Sequence, residues 1–126
     1  MAPKRVLVID DEELIQEVIQ ASLEDICDWQ VLLASSGTEG LMIAASQSPD
    51  AILLDVSMPI MDGIETFKKL QDDSTTQAIP VIFLTAKVQP SDKAVFSQLG
   101  VAGMISKPFN PITLNQEVSK ILGWKS

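Results

Sequence analysis

The sequence of 126 residues contains no histidine, no tyrosine and only one cysteine, Cys27. Without histidine, the chain itself cannot carry a Ser-His-Asp triad, a histidine-ligated zinc ion or a phosphohistidine. A single cysteine cannot form a disulfide within the chain, and we expect Cys27 to be a small hydrophobic residue in the core or at its boundary. Any chemistry of this chain therefore has to come from other side chains.

Long apolar segments and an excess of basic residues are also missing. No apolar run approaches the roughly 20 residues of a membrane span. The short run after Lys4 and Arg5 is followed at once by four acidic residues, which does not fit a signal peptide, so we expect a cytoplasmic protein. Nine basic against seventeen acidic residues give a net charge of −8. This charge repels nucleic acid and anionic membranes, so neither is an expected partner.

Apolar patterns divide the chain into five predicted strands, each followed by a predicted helix. The strands are predicted at residues 4–9, 29–34, 51–54, 81–84 and 102–105, because these apolar runs are short and do not alternate with polar residues. Helical spacing predicts buried faces in four of the helices: Leu14, Ile15, Val18, Ile19, Leu23 and Ile26; Leu41, Ala44 and Ala45; Ile64, Phe67 and Leu70; Leu114, Val118, Ile121 and Leu122. The fourth helix, at about residues 91–99, has the weakest apolar face.

Three of the helix starts carry capping patterns. Ser36 and Glu39 form a capping box, Asp62 opens the third helix, and Asn110 caps the fifth helix with Pro111 at its first position. Regular alternation of strands and helices predicts an α/β protein with helices on both sides of a parallel sheet. With a hydrophobic share of 46%, we expect one domain with a flavodoxin-like, doubly wound, five-stranded parallel sheet in the order 2-1-3-4-5 and five helices.

Polar residues stand at the ends of four predicted strands: Asp10 and Asp11 after the first, Asp55 after the third, Thr85 after the fourth and Lys107 after the fifth. In the predicted order these strands are neighbours, and their carboxyl ends meet at the edge of the sheet where this fold binds ligands. Each residue also has a simpler explanation. The aspartates could cap a helix or start a turn, threonine favours strands, and lysine is usually a solvated surface charge. Because all these explanations would have to hold at once, the convergence favours a functional site.

The charges of this group indicate its chemistry. Two carboxylates about 4 Å apart repel by roughly 4 kcal/mol at an effective dielectric near 20, so three of them need compensation. A Mg²⁺ ion together with Lys107 would cancel three negative charges, and Mg²⁺ suits oxygen ligands completed by water or phosphate. Such a site can receive a phosphoryl group, because the cation and the lysine stabilise its oxygens, Thr85 donates a hydrogen bond and one carboxylate attacks phosphorus.

Four motifs occupy these strand ends: Asp10-Asp11, Asp55-x-x-Met58-Pro59-x-Met61-Asp62-Gly63, Thr85-Ala86 and Lys107-Pro108-Phe109. Through them the chain resembles the receiver domain of two-component response regulators, in particular stand-alone, CheY-like receivers, along essentially its whole length. The resemblance implies that Asp55 accepts a phosphoryl group from a histidine kinase or a phosphotransfer protein.

The resemblance also implies a set of site residues. The implied Mg²⁺ ligands are Asp11 directly, Asp10 mainly through water, Asp55, and the backbone carbonyl of Ser57. The implied contacts of the phosphoryl oxygens are Thr85, the backbone amide of Ala86, and Lys107. As in the family, we expect a cis peptide bond between Lys107 and Pro108.

The chain departs from the family's pattern at Met104. Receivers commonly carry an aromatic residue three positions before the lysine, and that residue moves inward together with the threonine. We expect Met104 to be a packing methionine, and we expect the face made by helix 4, strand 5 and helix 5 to switch differently. A second copy of the chain is one candidate partner for this face. Ser57 and Lys87 occupy positions that tune the lifetime of the phosphate in the family.

We interpret the chain as a single receiver domain, residues 1–126, without an output domain. It would signal through altered protein binding or pass the phosphoryl group onward, and it would catalyse only its own phosphorylation and dephosphorylation. One alternative is a binding module that works without phosphorylation. A second is a small Mg²⁺-dependent phosphatase with an aspartyl nucleophile. Such enzymes typically have an Asp-x-Asp motif at the end of strand 1, where this chain has Asp10-Asp11-Glu12. A third is a flavodoxin-type flavin carrier, whose phosphate these acidic residues would repel.

Overall fold

The structure is a computed structural model in which residues 4–56, 62–86 and 90–124 are described. Five strands alternate with five helices: β1 (Arg5–Ile9), α1 (Glu13–Cys27), β2 (Gln30–Ala34), α2 (Gly37–Gln47), β3 (Ala51–Asp55), α3 (Gly63–Asp72), β4 (Val81–Thr85), α4 (Pro90–Leu99), β5 (Gly103–Ser106) and α5 (Leu114–Leu122). Each strand begins and ends within one residue of its predicted bounds. Short apolar runs between polar or glycine-containing segments were therefore sufficient to locate the strands.

The five strands are parallel and lie in the order β2-β1-β3-β4-β5, which confirms the predicted fold. Val6 of β1 pairs with Val31 on one side and with Ala51 on the other. Every residue of β3 and β4 is buried, as expected for strands that helices cover on both faces. This order places the carboxyl ends of β1, β3, β4 and β5 side by side.

The core consists of two apolar clusters, one on each side of the sheet. Alternate residues of a strand point to opposite faces, so Val8 and Leu53 belong to one cluster while Leu7 and Leu54 belong to the other. The first cluster includes residues of α1 and α5: Ile19, Leu23, Leu114 and Val118. The second includes residues of α2, α3 and α4: Ala44, Phe67, Leu70 and Phe96. Helices therefore pack on both faces of the sheet, and this packing fixes the positions of the strand ends.

The buried face of α1 differs from the predicted one. Ile19 and Leu23 are fully buried, but Leu14 and Ile26 are 70% and 52% exposed, so the prediction was wrong for these two residues. The buried stripe is rotated towards Gln16, which is 6% exposed. Ile26 lies in the last turn and lines a surface groove beside the loop before α5. Apolar periodicity cannot detect a polar residue inside a buried stripe, which explains the error.

The start of α2 carries one half of the predicted capping box. The Ser36 hydroxyl accepts a hydrogen bond from the Glu39 amide at 3.1 Å, which satisfies an amide that the helix start leaves unpaired. The Glu39 carboxylate accepts from the Ser35 amide at 2.6 Å, one residue before the N-cap, and not from the Ser36 amide as in a capping box. The predicted face was partly wrong, because Ala44 is buried but Ala45 is exposed. Glycines line the buried side of α2 instead, and glycine contributes no hydrophobic pattern.

The predicted start of the fifth helix was wrong. Asn110 does not cap α5, which begins at Leu114 with Thr113 as its N-cap residue. The Asn110 side chain instead accepts a hydrogen bond from the Ile112 amide at 2.9 Å. An asparagine that bonds to the backbone two residues later forms a local turn in place of a helix cap. The expected cis peptide bond before Pro108 is present.

Trp124 follows α5 and covers one edge of the core. Its ring packs edge-on against Trp29, with the ring centroids 5.3 Å apart, and the Lys4 ammonium lies 4.7 Å from its centroid.

In the described parts of the chain, no helix is both long enough and apolar enough to cross a membrane. The predicted burial of Cys27 concerns a side chain outside those described.

Candidate functional site

The polar residues at the four strand ends come together, as the sequence predicts. Asp10 directly follows β1, Asp55 and Thr85 are the last residues of β3 and β4, and Lys107 directly follows β5. The Lys107 ammonium nitrogen lies 3.0 Å from Asp10 Oδ2 and 3.4 Å from Asp55 Oδ1. The Lys107 amide also donates a hydrogen bond to the Thr85 carbonyl at 2.9 Å. The parallel pairing of β4 with β5 thus continues into the site and positions the lysine.

Three carboxylates share this edge of the sheet. One oxygen from each of Asp10, Asp11 and Asp55 lies within 4.8 Å of the other two. Asp10 and Asp55 are buried, with 0% and 3% exposure, whereas Asp11 is exposed. The cluster therefore has a buried floor and one side that faces solvent, from which a ligand can enter.

Lys107 neutralises part of this negative charge. Burial lowers the pKa of Lys107, but its hydrogen bond with Asp10 and the charges of Asp10 and Asp55 outweigh burial, so the pKa lies above the ordinary value of 10.5. The lysine is therefore protonated at neutral pH. Three carboxylates and one ammonium leave two negative charges, which is the charge that one divalent cation would cancel.

The turn after β1 is held by hydrogen bonds to Asp10. The Asp10 amide donates to the Ala34 carbonyl at 3.1 Å, and Asp10 Oδ1 accepts from the Glu12 amide at 2.9 Å. Glu12 is the N-cap residue of α1, although its side chain makes no capping hydrogen bond. Neither Asp10 nor Asp11 therefore occupies the N-cap position of α1, so helix capping was the wrong explanation, whereas Asp10 does close a local turn through the Glu12 amide.

The start of α3 approaches the end of β3 closely at Gly63. The Gly63 amide donates to the Val56 carbonyl at 3.0 Å, and the Asp62 side chain caps the helix by accepting from the Glu65 amide at 2.8 Å. A Cβ atom at Gly63 would lie 2.4 Å from the Asp55 carbonyl oxygen, which is too short for a non-bonded contact. The site therefore requires glycine at position 63, for a reason that the Asp-Gly pair in the sequence did not reveal.

The chain as a whole has counterparts among known proteins. The family model of the response regulator receiver domain matches residues 6–119. The chain belongs to this family. Acceptance of a phosphoryl group is a general property of receiver domains.

Three similar proteins illustrate the family. The receiver is 40% identical to the alkaline phosphatase synthesis transcriptional regulatory protein PhoP of Bacillus subtilis over 94% of this chain and 48% of PhoP, so it spans about half the length of that relative. The chemotaxis response regulator CheY4 of Vibrio cholerae has a TM-score of 0.88 and 32% identity, covering 95% of this chain and 99% of the CheY4 chain. The receiver domain of the sensor histidine kinase PA1611 of Pseudomonas aeruginosa, solved with a magnesium ion coordinated in its active-site cleft, has a TM-score of 0.84 and 28% identity, covering 97% and 99%.

The acidic cluster of this receiver fits a Mg²⁺ ion. Oxygen ligands of Mg²⁺ lie about 2.1 Å from the metal, so two of them are about 3.0 Å apart when adjacent and about 4.2 Å apart when opposite. The observed spread of up to 4.8 Å is only slightly wider, and small side-chain rotations would close it. Asp10, Asp11 and Asp55 are therefore suitable ligands. The fourth predicted ligand, the Ser57 carbonyl, lies outside the described residues.

The predicted phosphoryl contacts lie beside the acidic cluster. Thr85 is 3% exposed at the end of β4, and Ala86, the next residue, is exposed. Lys107, the third predicted contact, approaches from β5 as described above. Lys87, which was predicted to tune the lifetime of the phosphate, lies outside the described residues.

Met104 lies on β5, beside Phe83 of β4. It is half-buried and packs against the apolar cluster that contains Phe83, which supports its interpretation as a packing methionine. It also lines a shallow groove with Glu117 and Lys120 of α5. The effect of Met104 on switching stays a prediction.

Sequence reasoning missed two residues next to the site. Glu12 lies at the exposed rim, with its carboxylate 3.9 Å from the Lys107 ammonium. Gln16 is buried in α1 and donates hydrogen bonds to the turn that carries Asp10. The only sign of Gln16 in the sequence was its place between the apolar residues Ile15 and Ile19. Helical periodicity of apolar residues does not predict that a polar residue at such a position is buried.

Proposed function

We propose that this receiver accepts a phosphoryl group on Asp55 in a Mg²⁺-dependent reaction. The observation that carries the proposal is the position of the Asp55 carboxylate. It is buried at the carboxyl end of β3, 3.4 Å from the Lys107 ammonium, and shares one cluster with Asp10 and Asp11. A nucleophilic carboxylate next to a cation and a metal site is the arrangement that aspartyl phosphate formation requires.

The donor in this proposal is a phosphohistidine on a histidine kinase or a phosphotransfer protein. These 126 residues contain no histidine, so the donor histidine lies outside the receiver domain. An Asp55 oxygen forms a bond to phosphorus while the phosphorus–nitrogen bond of the donor breaks. The electron pair of that bond stays on the imidazole nitrogen of the donor. A cytoplasmic location follows for this reaction, because the kinase draws its phosphate from ATP.

Lys107 has two roles in the proposed reaction. In the resting protein it pairs with Asp10 and Asp55, which places a positive charge beside two buried carboxylates. As the phosphoryl group arrives, the same ammonium can bind a phosphoryl oxygen and stabilise the charge that develops there. The Thr85 hydroxyl and the Ala86 amide are the proposed hydrogen-bond donors to the remaining oxygens.

Asp10, Asp11 and Asp55, with the Ser57 carbonyl, are the proposed protein ligands of Mg²⁺. We assign direct binding to Asp11, because it is exposed, and mainly water-mediated binding to Asp10, whose oxygens already contact Lys107 and the Glu12 amide. The bound ion would draw electron density from the phosphoryl oxygens. The magnesium reported for the PA1611 receiver supports this part of the proposal.

The proposed output is a change in protein binding or onward transfer of the phosphoryl group. The face formed by α4, β5 and α5 is the proposed contact surface, and a second copy of the chain is one candidate partner.

Intact mass spectrometry after incubation with Mg²⁺ and acetyl phosphate tests the proposed reaction. We expect one added phosphoryl group on the wild-type protein, and none without Mg²⁺ or in Asp55→Asn. A purified histidine kinase serves as the second donor, because some receivers accept phosphate only from a protein. A folded wild-type protein that gains no phosphoryl group from either donor would contradict the proposal and favour the phosphorylation-independent binding module.

A further inference from the structure

Gln16 of α1 is a buried polar residue whose side chain reaches back to the acidic turn. It is 6% exposed, and its own backbone is fixed in the first turns of the helix, where its amide donates to the Glu12 carbonyl at 3.1 Å. The side-chain nitrogen Nε2 donates to the Asp10 carbonyl at 2.6 Å. The same nitrogen lies 3.1 Å from Ser35 Oγ and 3.3 Å from the Ala34 carbonyl.

The shortest of these contacts acts on the peptide that joins Asp10 to Asp11. The Asp10 carbonyl and the Asp11 amide belong to one rigid plane. A donor that fixes the direction of the carbonyl therefore also fixes the direction in which the chain leaves towards Asp11. The other atoms of Asp10 are held as well, because its amide donates to Ala34 and its Oδ1 accepts from Glu12. Asp11 is exposed and precedes the helix, and among the described residues it makes no comparable hydrogen bonds.

We propose that Gln16 is a positioning residue that sets the Mg²⁺ affinity of this receiver by orienting the Asp10–Asp11 peptide. The inference rests on the proposed Mg²⁺-dependent function, and it assigns a role to a residue outside the ligand set. Groups that orient metal ligands typically change metal affinity by about 10- to 100-fold when they are removed. Because Gln16 acts on the backbone next to one ligand, we expect an effect near the lower end, about tenfold.

The contact of the Gln16 side-chain amide with Ser35 links the acidic turn to the start of α2. Ser35 accepts from Gln16 through its hydroxyl and donates through its own amide to the Glu39 carboxylate at 2.6 Å. Gln16 therefore bridges the turn after β1 and the turn after β2. This bridge explains why a rigid, buried amide occupies a position where an apolar residue would otherwise pack.

The test is the Mg²⁺ dissociation constant of Gln16→Met, measured by titration calorimetry on the folded protein without phosphodonor. Methionine keeps the length and volume of glutamine but cannot donate a hydrogen bond. We expect the dissociation constant to rise about tenfold. We also expect the Mg²⁺ concentration for half-maximal phosphorylation to rise by a similar factor, while the rate at saturating Mg²⁺ stays within about twofold of wild type.

Ser22→Ala is the matched control, because Ser22 is also a buried polar residue of α1 and its hydroxyl donates to the Pro111 carbonyl, away from the acidic turn. It should lower stability without changing the dissociation constant. Gln16→Asn, whose shorter side chain cannot reach Asp10, replaces Gln16→Met if the latter does not fold. A folded Gln16 variant with a wild-type dissociation constant would overturn the inference. A wild-type protein that binds no Mg²⁺ would instead overturn the proposed function on which it rests.

Discussion

Replacing Lys107 by methionine removes the ammonium group that separates two buried carboxylates. Asp10 is 0% exposed and Asp55 is 3% exposed, so both carboxylates would lose a charge partner while they stay largely shielded from solvent. We expect Lys107→Met to lower the free energy of unfolding in the absence of metal. We expect saturating Mg²⁺ to restore stability more strongly in the variant than in the wild type, because the variant cluster carries one more uncompensated negative charge.

The size of the loss follows from the contact distances. At an effective dielectric near 20, an ion pair at 3.0 or 3.4 Å contributes about 5 kcal/mol before the cost of burying the lysine is subtracted. Removing one partner of a buried pair costs about 3–5 kcal/mol. The Lys107 side chain is 17% exposed, so its charge is partly solvated and the lower value of about 3 kcal/mol applies.

Urea unfolding followed by tryptophan fluorescence measures this loss. The two tryptophans, Trp29 and Trp124, contact each other at 5.3 Å between ring centroids and are remote in sequence from the substituted residue. Titrations in excess chelator and in saturating Mg²⁺ give the two free energies for each protein. Lys68→Met is the matched control, because it makes the same chemical change at an exposed position of α3 and should alter stability by less than about 0.5 kcal/mol.

A loss below about 1 kcal/mol for Lys107→Met in chelator would refute this reasoning. It would mean that Asp10 and Asp55 are stabilised by groups other than the lysine. Equal stabilisation of both proteins by Mg²⁺ would refute the second part, because the cation would then not respond to the charge that Lys107 supplies.

Three further predictions follow from other parts of the structure. Gly63→Ala should lower the free energy of unfolding in urea by about 1–3 kcal/mol and slow phosphorylation, because the new methyl group meets backbone atoms of Asp55 and Val56; unchanged stability and rate would contradict this. Ser119→Ala should raise the free energy of unfolding by about 1 kcal/mol, since the buried Ser119 hydroxyl has no hydrogen-bond partner among the described residues. Ser22→Ala should lower it by a similar amount, because the Ser22 hydroxyl has a partner. Changes of the same sign in the two free energies of unfolding would contradict this. The raised pKa of Lys107 means that its stabilising contribution is complete below the ordinary value of 10.5 and is lost only as pH rises through the higher folded value; a stability difference between wild type and Lys107→Met that already declines at neutral pH would disprove it.

Much of the fold was predictable because strands buried on both faces are unbroken apolar runs. The runs that became β1, β3 and β4 end at Asp10, Asp55 and Thr85, so the same residues that mark the strand ends also mark the site. The parallel order then follows from the alternation of strands and helices. The helix faces were less predictable, because helix packing depends on rotation about the helix axis. Leu14 and Ile26 fit the apolar spacing of α1, yet both are exposed.

The composition and spacing of the sequence by themselves determined the fold class, the acidic and lysine residues of the site, and the exclusion of histidine chemistry within the chain. Only the tertiary structure decided how these groups support one another. Lys107 and Asp10 are 97 residues apart in sequence but 3.0 Å apart in space, and Gln16 lies over the Asp10 carbonyl because α1 packs back onto β1. Hydrogen bonds and ion pairs act over a few ångströms, so their partners are determined by packing, which the order of residues does not display.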